Sequence, residues 1–171
     1  VENPKRPPKE QFQTIVIDVI DDICVMIEQA ICINEGVQAL SDIPWSKGYA
    51  MFNSALQQFV MDLKALPMNV IYISREISIT DEKSNITTYK QSLKDKYYNV
   101  INGNCDLVIR TSKVGAGQNI HYMREVKAAR TKYLPENITN KRVLDLLLTC
   151  QGMFSDEILK QYKESKKKES K

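Results

Sequence analysis

Residues 13–18, Q-T-I-V-I-D, form a short, almost purely apolar run that ends on an acid and passes at once into V-I-D-D-I and a helical pattern. No other feature restricts the fold as much. The run is too short for a helix and lacks the alternation of a strand with one wet face. It is therefore expected to be a fully buried strand of a parallel sheet, with the chain returning through helices.

The rest of the chain fits that frame. Residues 1–10 are polar and Pro-rich (Pro4, Pro7, Pro8) and read as a surface connector, so residues 1–11 are taken as a linker. Helical spacing links Ile20, Ile23, Cys24, Ile27 and Ile31 and stops near Asn34, Glu35 and Gly36. A loop, S-D-I-P-W-S-K-G-Y, occupies 41–49. A second helix carries Phe52, Leu56, Phe59, Val60 and Leu63 on one face and is stopped by Pro67. Residues 69–74 (N-V-I-Y-I-S) read as a second buried strand, and 106–111 (D-L-V-I-R-T) as a third. Gly115 to Gln118 predicts a hairpin turn into a fourth strand near 119–127. The polar stretch 75–104 is too long for an ordinary connection. Helices are expected over 143–150 and 155–168. The fold class expected is α/β: a mostly parallel sheet with helices on both faces and an antiparallel C-terminal edge hairpin. Its core spans 12–150, and 151–171 forms a C-terminal helix with a Lys-rich tail.

Composition bounds the function. The 171 residues are 43% hydrophobic and 26% charged, as in ordinary globular domains. No run is expected to approach the roughly 18 apolar residues of a membrane span. Cys24, Cys32, Cys105 and Cys150 lie far apart with one His and no C-x-x-C pair, which argues for buried reduced thiols rather than zinc. The net charge of +3 conceals a segregation: residues 160–171 hold six Lys and two Glu, leaving −1 for the remainder. Such a tail serves as a solvated helix end or as a non-specific nucleic-acid contact.

A carboxylate ending a parallel strand is where a nucleotide-binding sheet holds Mg²⁺ or its water shell. Yet no G-x-x-x-x-G-K phosphate loop followed by Ser or Thr occurs, and the sequence opens on Val1. The chain is accordingly expected to be the later part of a longer nucleoside-triphosphatase core.

Four blocks carry a resemblance to the RecA-like nucleotide-binding proteins of bacteriophages, P-loop ATPases of recombination and single-strand annealing modules. T-I-V-I-D-V-I-D-D at 14–22 resembles their Walker B strand and helix. S-D-I-P-W-S-K-G-Y at 41–49 resembles a characteristic loop, and V-I-Y-I-S-R-E at 70–76 the strand whose end senses the γ-phosphate. N-G-N-C-D-L-V-I-R at 102–110 with V-K-A-A-R at 126–130 resembles the C-terminal strands. Val19 stands where relatives commonly have Ser or Thr, and Arg75 where they more often have Gln or His.

The resemblance implies roles. Asp18 would hold the Mg²⁺ of a bound ATP, through water; as a bland alternative it caps the next helix, a task open to Asp21 and Asp22 too. Ser74, Arg75 and Glu76 would sense the γ-phosphate, with Glu76 an alternative water-polarising base, or they make a surface turn with a local ion pair. Lys127 and Arg130 would reach a neighbouring subunit's triphosphate, or decorate a solvated edge. Two loops would meet single-stranded DNA: Trp45, Lys47 and Tyr49 from one, and Lys90, Lys94, Lys96 and Tyr97 from the other. Aromatics interleaved with lysines suit base stacking and phosphate contact, although half-buried covers with solvated lysines read the same way. The implied parent is an ATP- and Mg²⁺-dependent homo-oligomer of the bacterial host cytoplasm, without membrane contact. This chain alone is expected to be inactive, and a DNA- or partner-binding module without enzymatic role is the alternative.

Overall fold

The computed structural model describes residues 3–134 and 137–169, and the side chains of these except 162, 163 and 165–169. The chain forms two compact units, Val1–Asn104 and Cys105–Lys171.

In the first unit β1 (Thr14–Asp18) leads into α1 (Ile20–Glu35), α2 (Lys47–Lys64) and β2 (Asn69–Ile73). The two strands pair in parallel, Thr14 opposite Asn69 through Asp18 opposite Ile73. Parallel pairing requires a long crossover, which the two helices supply. Asp21 and Asp22 in the first turn of α1 favour its positive end. At the other end Gly36 takes the left-handed conformation (φ 66°), and Val37 N–H reaches the Cys32 carbonyl at 2.9 Å. An L side chain is strained there, so glycine ends the helix.

The helices pack around Ile20, Cys24, Ile31, Phe52, Leu56 and Val60. The expectation of buried strands is corrected. Ile15, Ile17, Val70 and Tyr72 are half-buried, whereas Val16, Ile71 and Ile73 on the opposite face are 40–52% exposed. An unbroken apolar run records a strand suited to cover on both faces; only one face is covered among the described residues. Nor is there one continuous sheet: the described strands form three separate two-stranded sheets.

The stretch 75–104, expected as a long connection, is ordered structure. It holds the hairpin β3 (Glu76–Thr80) and β4 (Thr87–Gln91), then α3 (Asp95–Asn102). Asp81 shapes the hairpin tip by accepting N–H groups of Lys83 and Ser84 at 2.8 and 2.9 Å. Leu93, Tyr97 and Ile101, spaced by four, are buried and anchor α3.

The second unit contains the hairpin β5 (Leu107–Val114) and β6 (His121–Ala129), as the sequence predicts, with a bulge between Val108 and Ile109. Gln151 bonds along β6, its N–H donating to Arg124 O at 2.7 Å and its carbonyl accepting from Val126 at 2.9 Å. Two helices, α4 (Lys141–Leu147) and α5 (Asp156–Glu169), follow, with Leu147 and Cys150 buried. The last two residues of the Lys-rich tail lie outside the described residues. The N-terminal connector is not a free strand of chain: the Asn3 amide bonds both the N–H and the carbonyl of Phe12, at 2.7 and 3.0 Å. One stretch, Ile20–Asp42, is long and apolar enough to cross a membrane by length and composition alone.

Candidate functional site

Parallel pairing of β1 and β2 brings their C-terminal ends side by side, so Asp18 and the 74–76 segment meet at one edge of the sheet. Such an edge is where open parallel sheets bind ligands. Asp18 is exposed and makes no hydrogen bond or ion pair among the described residues. One turn on, Asp21 is 8% exposed; its Oδ2 accepts the Arg75 backbone N–H at 3.2 Å, while its Oδ1 is buried with no partner. Asp22 takes both arms of the Arg75 guanidinium, Nη1 to Oδ1 at 2.8 Å and Nη2 to Oδ2 at 3.0 Å. That hydrogen bond, then the Asp22 charge, with Asp21 and Asp18 adding less, raises Arg75 above the ordinary guanidinium value. The Ser74 hydroxyl makes one long contact, to the Arg75 carbonyl at 3.4 Å, and Glu76 opens β3.

The structure thus brings together Asp18, Ser74 and Arg75 and adds Asp21 and Asp22, which sequence reasoning treated as helix caps. Both acids lie in the first helical turn after a strand-end Asp, the spacing that betrays them. Among the described residues no group of three or more His, Cys, Asp or Glu is arranged to hold a metal ion unaided. An unpaired carboxylate at a strand end nevertheless fits Mg²⁺, which retains much of its water and takes one or two carboxylates alongside substrate phosphates. Asp18 would be that ligand, and the bound ion would neutralise phosphate charge. The phosphates' own cradle of backbone amides and Lys is not encoded in these residues.

The 41–49 loop is built around burial and release. Leu40 and Ile43 are buried, and Asp42 Oδ2 accepts the Ala39 N–H at 2.9 Å. Gly48 sits so close to the Leu40 carbonyl that a Cβ there would lie 2.3 Å from its oxygen. Between these anchors Trp45 (φ 61°) and Ser46 (φ 55°) are both left-handed, a conformation costing an L residue about 1–2 kcal/mol each. Trp45 is 89% exposed at the start of α2, with Lys47 and Tyr49 also exposed. Lys47 has no carboxylate partner among the described residues.

The second set of expected DNA contacts divides. Lys90, Lys94 and Lys96 are exposed, Lys90 lying 3.6 Å from Asp95. Tyr97 is a correction: it is 7% exposed, its ring centroid 4.3 Å from that of Phe52, and it has no face left for a base. Burial first, and then the nearby Glu28 carboxylate, raises its phenol above the ordinary range. Lys94 lies over the ring from outside, 5.6 Å from the centroid. Lys127 and Arg130 belong to the second unit, where Lys127 bonds Glu125 at 2.7 Å and Arg130 lies 4.0 Å from Asp106, which Lys132 also contacts.

Residues 7–147 match the AAA domain family, and the chain belongs to it. Membership makes this a nucleotide-binding, ATPase-like protein of the P-loop NTPase class, whose members commonly use ATP and Mg²⁺. The mixed α/β architecture is consistent with that class. No curated protein and no solved structure matches the chain.

Proposed function

We propose that this chain is part of a phage-type RecA-like ATPase acting on single-stranded DNA in recombination or annealing. Asp18 carries the reading: a free carboxylate at the end of a parallel strand, beside a polar strand end, in a chain of the AAA domain family. In this reading Asp18 holds hydrated Mg²⁺ of ATP, and Ser74, Arg75 and Glu76 respond to the γ-phosphate. Lys127 and Arg130 serve a neighbouring protomer's nucleotide in a homo-oligomer. DNA stacks on Trp45 and Tyr49, with Lys47, Lys90, Lys94 and Lys96 on its phosphates. The setting is the bacterial host cytoplasm. A second reading, a DNA-binding module indifferent to ATP, rests on the exposed Trp45, Lys47 and Tyr49 alone.

Trp45 is the only tryptophan, so its fluorescence reports on its own site. Titration with oligo(dT) is expected to quench it and to lose affinity as salt rises. In a chain supplied with a phosphate loop, quenching strengthened by Mg²⁺–ATP supports the ATPase reading and quenching indifferent to ATP supports the second; no quenching overturns both DNA assignments.

A further inference from the structure

Helix α1 is apolar on its outer side as well as its inner one. Ile20, Cys24, Ile31 and Cys32 are buried, yet Val25, Met26 and Ile33 are 53%, 61% and 78% exposed. A helix apolar on nearly every side is normally covered on every side. Val25, Gln29 and Ile33 repeat every four residues and form one ridge. Beside it runs a groove of about 470 Å³ lined by Val25, Glu28, Cys32, Ile33 and, where the chain turns back after Gly36, Val37. Glu28 is half-buried there and has no ion-pair partner among the described residues. Its surroundings are as one-sided in charge. Residues 10–46 contain seven Asp and Glu and no Lys or Arg, and among the described residues only Asp22 of the seven is ion-paired.

Those features select the occupant. A second α1 would set acids against acids, and a nucleic acid would set phosphates against them, so both are disfavoured. An anionic membrane is disfavoured too, because helices that lie in such surfaces carry Lys and Arg on the polar face. An extended peptide adds to a free sheet edge, which a helix does not offer. A second helix meets the demand: its apolar stripe enters beside the Val25–Gln29–Ile33 ridge while its basic flank faces Glu28. Val25 to Ile33 is about 12 Å along the axis, and apolar residues seven apart on a partner helix cover about 10.5 Å.

We infer that the α1 groove docks a basic amphipathic helix of a different protein, with apolar residues over two turns against Val25 and Ile33 and a Lys or Arg against Glu28. The contact uses no residue of the nucleotide edge or of the 41–49 loop, so it stands apart from the proposed function.

The test uses the full ¹⁵N-labelled chain and a fluorescein-labelled peptide of about 18 residues, five helical turns. The peptide is Ala and Lys, with three leucines spaced four and then three residues apart on one face. Amide shifts in the chain are expected to change most at Val25, Glu28, Gln29, Ile33 and Val37. In fluorescence anisotropy Ile33→Glu, at an exposed position, should weaken binding at least about tenfold, as loss of a central apolar anchor does. Glu28→Lys should weaken it about tenfold as well. Glu10→Lys, the same charge change outside the groove, should alter it less than about twofold. A peptide of the same composition with its leucines dispersed around the helix should bind at least about tenfold more weakly. Circular dichroism checks that each variant keeps the parent's helix content. No binding, equal binding of the two peptides, equal loss in Glu28→Lys and Glu10→Lys, or shifts centred away from α1 would overturn the inference. So would self-association, or partition onto neutral phosphatidylcholine vesicles, that Ile33→Glu abolishes, since either puts another occupant in the groove.

Discussion

Trp45 and Tyr97, two aromatics that resemble each other in sequence context, should respond oppositely to truncation. Tyr97 is buried with its ring 4.3 Å from Phe52. An aromatic side chain buries roughly 150–250 Å², which at about 25 cal/mol per Å² is worth about 4–6 kcal/mol. A compact unfolded state lowers such sums, so Tyr97→Ala should cost about 3–5 kcal/mol, the range for buried aromatics. Trp45 is 89% exposed, and Trp45→Ala should change stability by less than about 0.5 kcal/mol. Trp45→Gly should exceed Trp45→Ala by about 1 kcal/mol, because glycine accepts the left-handed backbone without strain. Urea unfolding followed by far-ultraviolet circular dichroism suits all variants, since two of them lack the tryptophan. For Tyr97→Ala the midpoint should fall by about 1 M or more. In oligo(dT) binding by labelled-oligonucleotide anisotropy, Trp45→Ala should lose about 1–3 kcal/mol. Equal destabilisation by both alanine variants, or a Tyr97→Ala chain as stable as the parent, would refute the placement of these rings.

Three further outcomes are expected. Arg75→Lys should not replace Arg75, since a single ammonium cannot engage both oxygens of Asp22; because the pair is exposed, stability should change by less than about 1 kcal/mol, while hydrogen exchange at the start of β3 should quicken. Burial, reinforced by Asp21, pushes the Cys24 thiol up to about 11; the thiolate that reacts therefore stays scarce at pH 8, and mass spectrometry should find Cys24 unalkylated until the chain unfolds. Gly48→Ala should destabilise by about 1–3 kcal/mol in thermal unfolding, as its Cβ would meet the rigid Leu40 carbonyl rather than a yielding side chain.

The sequence exposed α1, α2 and the β5–β6 hairpin because each carries its own period and its own stop, Gly36, Pro67 and the Gly115–Gly117 turn among them. The β3–β4 hairpin escaped because its alternation rests on Ile77 and Ile79 alone, within a polar stretch. Tyr97 was misread for a related cause: the lysines around it suggested a nucleic-acid face, although Leu93, Tyr97 and Ile101 already marked a buried helical edge. Asp18 stood out as a strand-end acid. The hold of Asp21 and Asp22 on Arg75 did not, because it joins residues more than fifty apart that meet only when β1 and β2 pair.

That long-range hold bears on where the polypeptide could be divided. The ladder of β1 with β2 and the Asp21 and Asp22 contacts to Arg75 join the same two segments from opposite sides of the helical excursion. The connection between α1 and α2, residues 36–46, adds covalent continuity to an arrangement already fastened at its ends. Pieces cut there, co-expressed and mixed, should find each other through that ladder and regain the fold, whereas a cut between Ile73 and Glu76 would sever the strand from the arginine that pins it.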